Sequence, residues 1–137
     1  MMLENINTFL SGIIVGMIIF QSSVIAPTIF STLDEKNAGK IIRNIFPKLF
    51  KIIAFMGFYM TIASILINSD LINQVAYVIT FLLMTINFLI IPATNKSRDE
   101  GNNGKFRFLH SISVLTTMLI LFFHSLSFQI LAFHTKT

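Results

Sequence analysis

A chain of 137 residues with 54% hydrophobic and 12% charged side chains has about half the charge density of an ordinary soluble domain. With a mean hydropathy of +0.78 it cannot cover a globule with polar surface, which argues against a water-soluble fold. Cysteine is absent, removing disulfides, thiolate metal sites and cysteine nucleophiles; the net charge of +4 is spread between apolar runs, not gathered into a basic-aromatic groove, so no nucleic-acid partner is expected.

Charges divide the chain into four long apolar intervals: Glu4 to Asp34, Lys51 to Asp70, Asp70 to Lys96 and Arg107 to Lys136. Each is long enough for the ~20 helical residues that cross a hydrocarbon core of about 30 Å. Backbone polar groups in lipid must be satisfied within the segment, so isolated runs of this kind are helices. The expected fold is all-α, a single polytopic transmembrane domain over residues 1–137. Its four helices are expected near 6–28, 49–67, 72–92 and 109–133, with a short interfacial helix between the first and second.

The first run is not expected to be a cleaved signal peptide. Val24-Ile25-Ala26 has small-residue character, but Pro27 would follow the cut, and the leading Met-Met-Leu-Glu-Asn carries an acid where a basic region belongs.

Orientation follows from Lys and Arg. The first connection holds Lys36, Lys40, Arg43, Lys48 and Lys51, the third holds Lys96, Arg98, Lys105 and Arg107, and only Lys136 remains for the opposite side. That asymmetry predicts both basic connections in the cytoplasm and both termini outside, in a bacterial cytoplasmic membrane, with anionic headgroups as partners of the basic connections.

Within the first connection, Ala38, Ile41, Ile42 and Ile45 recur at helical spacing opposite Lys36, Lys40 and Arg43, the pattern of an amphipathic helix over 34–46 lying at the headgroups. Asp34 is its expected N-cap, and Pro47 is expected in the first turn of the second span. Pro27 and Pro92 are expected to end the first and third spans, a weak echo of two repeated hairpins. Asn102 or Asn103 is expected to cap the last helix. The third connection is otherwise a polar loop with no phosphate-cradling pattern.

Polar residues inside apolar helices are costly and turn inward. On the last helix His110, Ser113, Thr117, His124 and Ser127 fall on one stripe, expected to face Gln21, Ser22, Ser23 and Asn87. An intramembrane path for a small solute is one use of such a face, carried by Gln21, Asn87, Thr117 and His124. His110 and His124 stand about 21 Å apart along the helix axis, a spacing suited to two stacked haems, but no other span supplies a second ligand; no haem or metal cofactor is expected. Gly12 and Gly16 form a G-x-x-x-G pair, expected to serve helix packing within the bundle, with a homo-oligomer seam as the alternative. No catalytic constellation can be assembled from three His and six acids, and none of the acids lies within a span, so a non-enzymatic protein without an energised proton path is expected.

Two stretches carry a family resemblance. Ala26, Pro27, Phe30, Leu33, Ala38 and Gly39 sit in "VIAPTIFSTLDEKNAG", and Asn87, Pro92, Asn95, Arg98 and Asp99 lead into "FRFLHSIS" with Phe106, Leu109, His110 and Ser113. Both resemble the transmembrane protein 205-like family, also catalogued as domain of unknown function 4149. The resemblance implies a four-helix membrane protein, and some of its members are linked with resistance to metal-containing drugs. The expected function is therefore an accessory or stress- and metal-drug-resistance role. Its working part would be a polar cluster of Asn95, Arg98, Asp99, His110 and Ser113, in which Arg98 and Asp99 pair. A permease or efflux component is the first alternative and a haem-linked redox protein the second.

Overall fold

The computed structural model describes residues 2–134, with side chains to Leu126. Helix α1 (Met2–Phe20) runs through one wide turn, Gln21–Ile25, into α2 (Ala26–Thr32); α3 (Glu35–Leu66), α4 (Leu71–Asp99) and α5 (Asn103–His134) follow. Among the described residues there is no strand. Four helical rods, 2–32, 35–66, 71–99 and 103–126 as far as side chains are described, are long and apolar enough to cross a membrane. Large apolar side chains point outward all along them, including Phe9, Phe55, Leu115 and Phe122. A surface of that kind is stable against lipid and not against water.

The rods form a ring in the order α1, α3, α4, α5, with α3 against α4 the most extensive contact. The connections are tight. Asn68 (φ 49°) and Gly101 (φ 68°) take the left-handed conformation that ends α3 and α4, and the side chain of Asn102 accepts a hydrogen bond from the Lys105 backbone N–H to open α5. Asp34 occupies the N-cap position of α3 with no side-chain cap; its carboxylate instead accepts from the Asn37 amide.

The prolines do not end helices. Pro47 and Pro92 lie inside α3 and α4, and the first rod passes Pro27 because the turn before it widens: the N–H of Ala26 reaches the Gln21 carbonyl, five residues back. That wide turn shifts the hydrogen-bond ladder by one residue just where a proline would break it. Buried neighbours support such interruptions in membrane helices. Consequently 34–46 is not a separate interfacial helix. It is the first third of α3, whose 32 residues span about 48 Å, well beyond a ~30 Å core. The end of α4 projects beside it, and Arg43 to Asp99 and Arg98 to Glu35 tie the two projections together.

Gly12 and Gly16 face outward, and nothing lies within 4 Å of a side chain built at Gly16. The close approach inside the bundle is at Gly57, where a Cβ would stand 2.8 Å from the Phe81 backbone nitrogen. The missing side chain lets α3 and α4 touch backbone to backbone there.

Candidate functional site

The two halves of the bundle differ in kind. The half toward the termini is sealed by apolar side chains, Ile14, Ile18, Met60, Met84 and Ile120, each 0% or 1% exposed, and pinned by polar contacts. His124 is fully buried, its Nδ1 3.0 Å from Ser11 Oγ on α1 and its Nε2 2.9 Å from Thr80 Oγ1 on α4. Tyr77 lies beside it, ring centroids 6.0 Å apart. One imidazole thus joins three rods, with both ring nitrogens engaged by hydroxyls. A second pin lies deeper, where Thr116 Oγ1 donates to Asn87 Oδ1 at 3.0 Å. Thr116, not Thr117, meets Asn87.

The other half, which carries all three prolines, is loosely filled. It contains a cavity of about 500 Å³, within the range of small-molecule sites. Its walls are mainly apolar, among them Phe46, Phe50, Ile53, Met84 and Ile91, with Gln21, Thr117, Ser113, His110, Asn95 and Arg98 as polar points. Four members of the expected cluster, Asn95, Arg98, His110 and Ser113, therefore line one space. Of the expected path, Gln21 and Thr117 line it too, whereas Asn87 and His124 are fully buried in the packed region. Ser22 lines the cavity although exposed, and Ser23 is exposed. Ser127 and Lys136 lie outside the described residues.

Toward the basic end lies a second hollow of about 380 Å³ lined by Glu35, Lys36, Gly39, Lys40, Arg43, Arg98 and Asp99, and Gly39, Arg43 and Arg98 stand between the two, lining both. Sideways the cavity opens between α2 and α5. Whereas α1 packs on both α3 and α5, α2 touches α3 and not α5 among the described residues. Phe30 of α2 and Val114 and Met118 of α5 line the cavity and are also exposed on the outer surface. The wide turn at Gln21–Ile25 is where the first rod parts from α5.

Arg98 and Asp99 do not pair with each other. Successive helical residues point about 100° apart, so each turns to α3: Arg98 Nη2 donates to Glu35 Oε1 at 2.9 Å and Arg43 Nη1 to Asp99 Oδ2 at 3.1 Å. Arg98 also lies over the Phe106 ring, 5.2 Å from its centre, and the His110 ring stacks with Phe106, centroids 5.8 Å apart. Lys51, on the outer side of α3, rests its amine 4.8 Å from the Phe88 ring, a snorkelling position at the edge of the apolar belt. Among the described residues no three His, Cys, Asp or Glu side chains gather.

Ser11, Thr80, Tyr77 and Thr116, and the acceptor Glu35, were not among the sequence candidates. Single hydroxyls in apolar helices are too common to flag. The one available signal was Asn7-x-x-x-Ser11, two polar residues on one helix face, both of them buried.

A family model described as domain of unknown function DUF4149 matches residues 9–103. The chain belongs to the DUF4149 family. The match runs from α1 to the first residue of α5, so the DUF4149 region supplies Gln21, Arg43, Asn95 and Arg98, while His110, Ser113, Thr117 and His124 lie beyond it. No curated protein and no solved structure matches the chain. This DUF4149 protein is a multi-pass membrane protein.

Proposed function

We propose that this protein is a non-enzymatic, cofactor-free accessory or resistance protein of the transmembrane protein 205-like type, whose working part is the cavity between α2, α3, α4 and α5. It binds a small lipophilic molecule there. The basic end stands in the cytoplasm of a bacterial cell and both termini lie outside, because the cationic residues gather at that end. The cavity then occupies the inner-leaflet half of the membrane.

The observation that carries the reading is that Phe30, Val114 and Met118 line the cavity and are exposed where α2 and α5 do not touch among the described residues; in the proposed orientation that gap faces lipid. A resistance role fits such a site, since it would hold a membrane-soluble toxin away from its target.

Purified protein in mild detergent tests this with an environment-sensitive lipophilic fluorophore. Saturable binding, lost when Thr117→Phe or Ile53→Trp fills the cavity, is the expected result. Binding that is non-saturable, or unaffected by both substitutions, refutes it.

A permease reading has its own support in the buried pins stacked along the axis, His124 with Ser11 and Thr80, then Asn87 with Thr116. Transport would require the Ile14, Ile18 and Met84 seal to open. Vesicles carrying the protein and showing no flux of any supplied metal or drug would dismiss it.

A further inference from the structure

Resting on the reading that the cavity is a binding site, we propose that its occupant is an anionic lysophospholipid. The phosphate lies between Arg43 and Arg98, the ester carbonyl meets Gln21, and the single acyl chain leaves between α2 and α5.

Three independent features converge on this chemistry. The first is charge. The hollow at the mouth sets Lys36, Lys40, Arg43 and Arg98 against only Glu35 and Asp99, leaving an excess of positive charge around a space that shares Gly39, Arg43 and Arg98 with the cavity. Arginine is the side chain best shaped for a phosphate. Both arginines are engaged with acids that stand in water, the Glu35 side chain 85% and the Asp99 side chain 58% exposed; solvent weakens the single Arg98–Glu35 bond most, while Arg43 holds Asp99 through both guanidinium nitrogens. An incoming phosphate therefore displaces a well-hydrated carboxylate, not a buried one.

The second feature is an unpartnered donor. Gln21 is only 6% exposed, lines the cavity, and its amide nitrogen Nε2 has no hydrogen-bond partner. A buried N–H without an acceptor is costly, and an ester carbonyl is a neutral acceptor that suits it.

The third is shape. Phe46, Phe50, Ile53 and Ile91 form an apolar wall of the space that Gln21 also lines, and α2 and α5, which both line it, do not touch among the described residues. A volume of about 500 Å³ accommodates one chain more readily than two.

The test is displacement of a fluorescent acyl probe from full-length protein by four unlabelled competitors. Lysophosphatidic acid is expected to bind best. Monoacylglycerol, which keeps the ester and loses the charge, binds about tenfold more weakly. A fatty acid, which keeps a charge and loses the ester, binds a few-fold more weakly, and glycerol phosphate, lacking a chain, does not compete. Arg43→Gln and Arg98→Gln each weaken lysophosphatidic acid by about tenfold and leave monoacylglycerol unchanged; Gln21→Leu removes the advantage over fatty acid. Lys48→Gln, outside the mouth, changes nothing. Equal binding of lysophosphatidic acid and monoacylglycerol overturns the headgroup assignment while the cavity reading stands. Competition by glycerol phosphate alone reduces the mouth to a simple anion site and overturns the lipid assignment. Absence of saturable probe binding overturns both. The ranking on the native protein needs no variant, so it decides even where a substitution prevents folding.

Discussion

Arg43 and Arg98 line the same opening, and each is held by an acid from the opposite helix: Arg43 by Asp99 at the end of α4, Arg98 by Glu35 at the start of α3. The two pairs brace the projecting ends of the helices across the mouth. They also keep two guanidinium groups fixed in a place that would otherwise leave them mobile in water.

This predicts the same direction of effect for two substitutions on facing helices. Glu35→Gln frees Arg98 and is expected to raise affinity for an anionic amphiphile by about two- to threefold, while Asp99→Asn does the same through Arg43. Competition assays at low and high salt measure both, and the gain should shrink as ionic strength rises. A loss of affinity on either neutralisation would contradict the arrangement.

His124 is predicted to matter for folding and His110 is not. Removing the imidazole in His124→Ala leaves a void and takes one partner from each of Ser11 and Thr80, although Thr80 keeps the Ala76 carbonyl; the expected loss is about 2–4 kcal/mol. Ser11→Ala, which removes one interhelical bond, should cost about 1 kcal/mol. His110 is exposed at the cavity rim, so His110→Ala should leave abundance and thermal unfolding in detergent near those of the parent. Equal destabilisation by both histidine substitutions would show that the pin is not where the structure places it.

The glycines separate in the same way. At Gly57 an alanine methyl would meet the Phe81 backbone, and backbone cannot swing aside as a side chain does; Gly57→Ala is expected to cost about 1–3 kcal/mol. Gly16→Ala meets nothing within the chain and gains helix propensity. Thermal melts of the two variants side by side provide the check.

Val114 stands at the sideways opening, exposed and cavity-lining at once. Val114→Trp is expected to slow ligand entry several-fold, with the equilibrium affinity altered less, as read by stopped-flow mixing. A matched change in affinity with no change in the association rate would place the entrance elsewhere.

A reporter fused after Thr137 is predicted to read as non-cytoplasmic, and one inserted between Gly101 and Asn102 as cytoplasmic. The reverse pattern would invert the orientation and move the cavity to the outer leaflet.

The number of spans was legible because hydropathy and charge are read directly by the solvent: lipid accepts the runs bounded by Glu4, Asp34, Asp70 and Lys96 and nothing else does. Helix ends were less legible. In a local reading Pro27 and Pro92 look like helix ends and Pro47 like a helix start, but a proline's missing bond is tolerated where neighbouring helices support the backbone, and α3 simply continues from Glu35 to Leu66. The amphipathic pattern at 34–46 falls within α3, where Ala38 is buried and Ile42 lines the cavity while Ile41 stays exposed. The cluster of Asn95, Arg98, His110 and Ser113 was found because polar residues at an apolar boundary stand out. Glu35 and Arg43 were missed as its partners because their pairing spans more than fifty residues of chain, and no local spacing encodes it.

The separation of α2 from α5 decides where a ligand comes from. A molecule that slips in sideways never crosses water, so its occupancy follows its mole fraction among the surrounding lipids and not its aqueous concentration. Fusing loaded vesicles with empty ones would deplete the bound population.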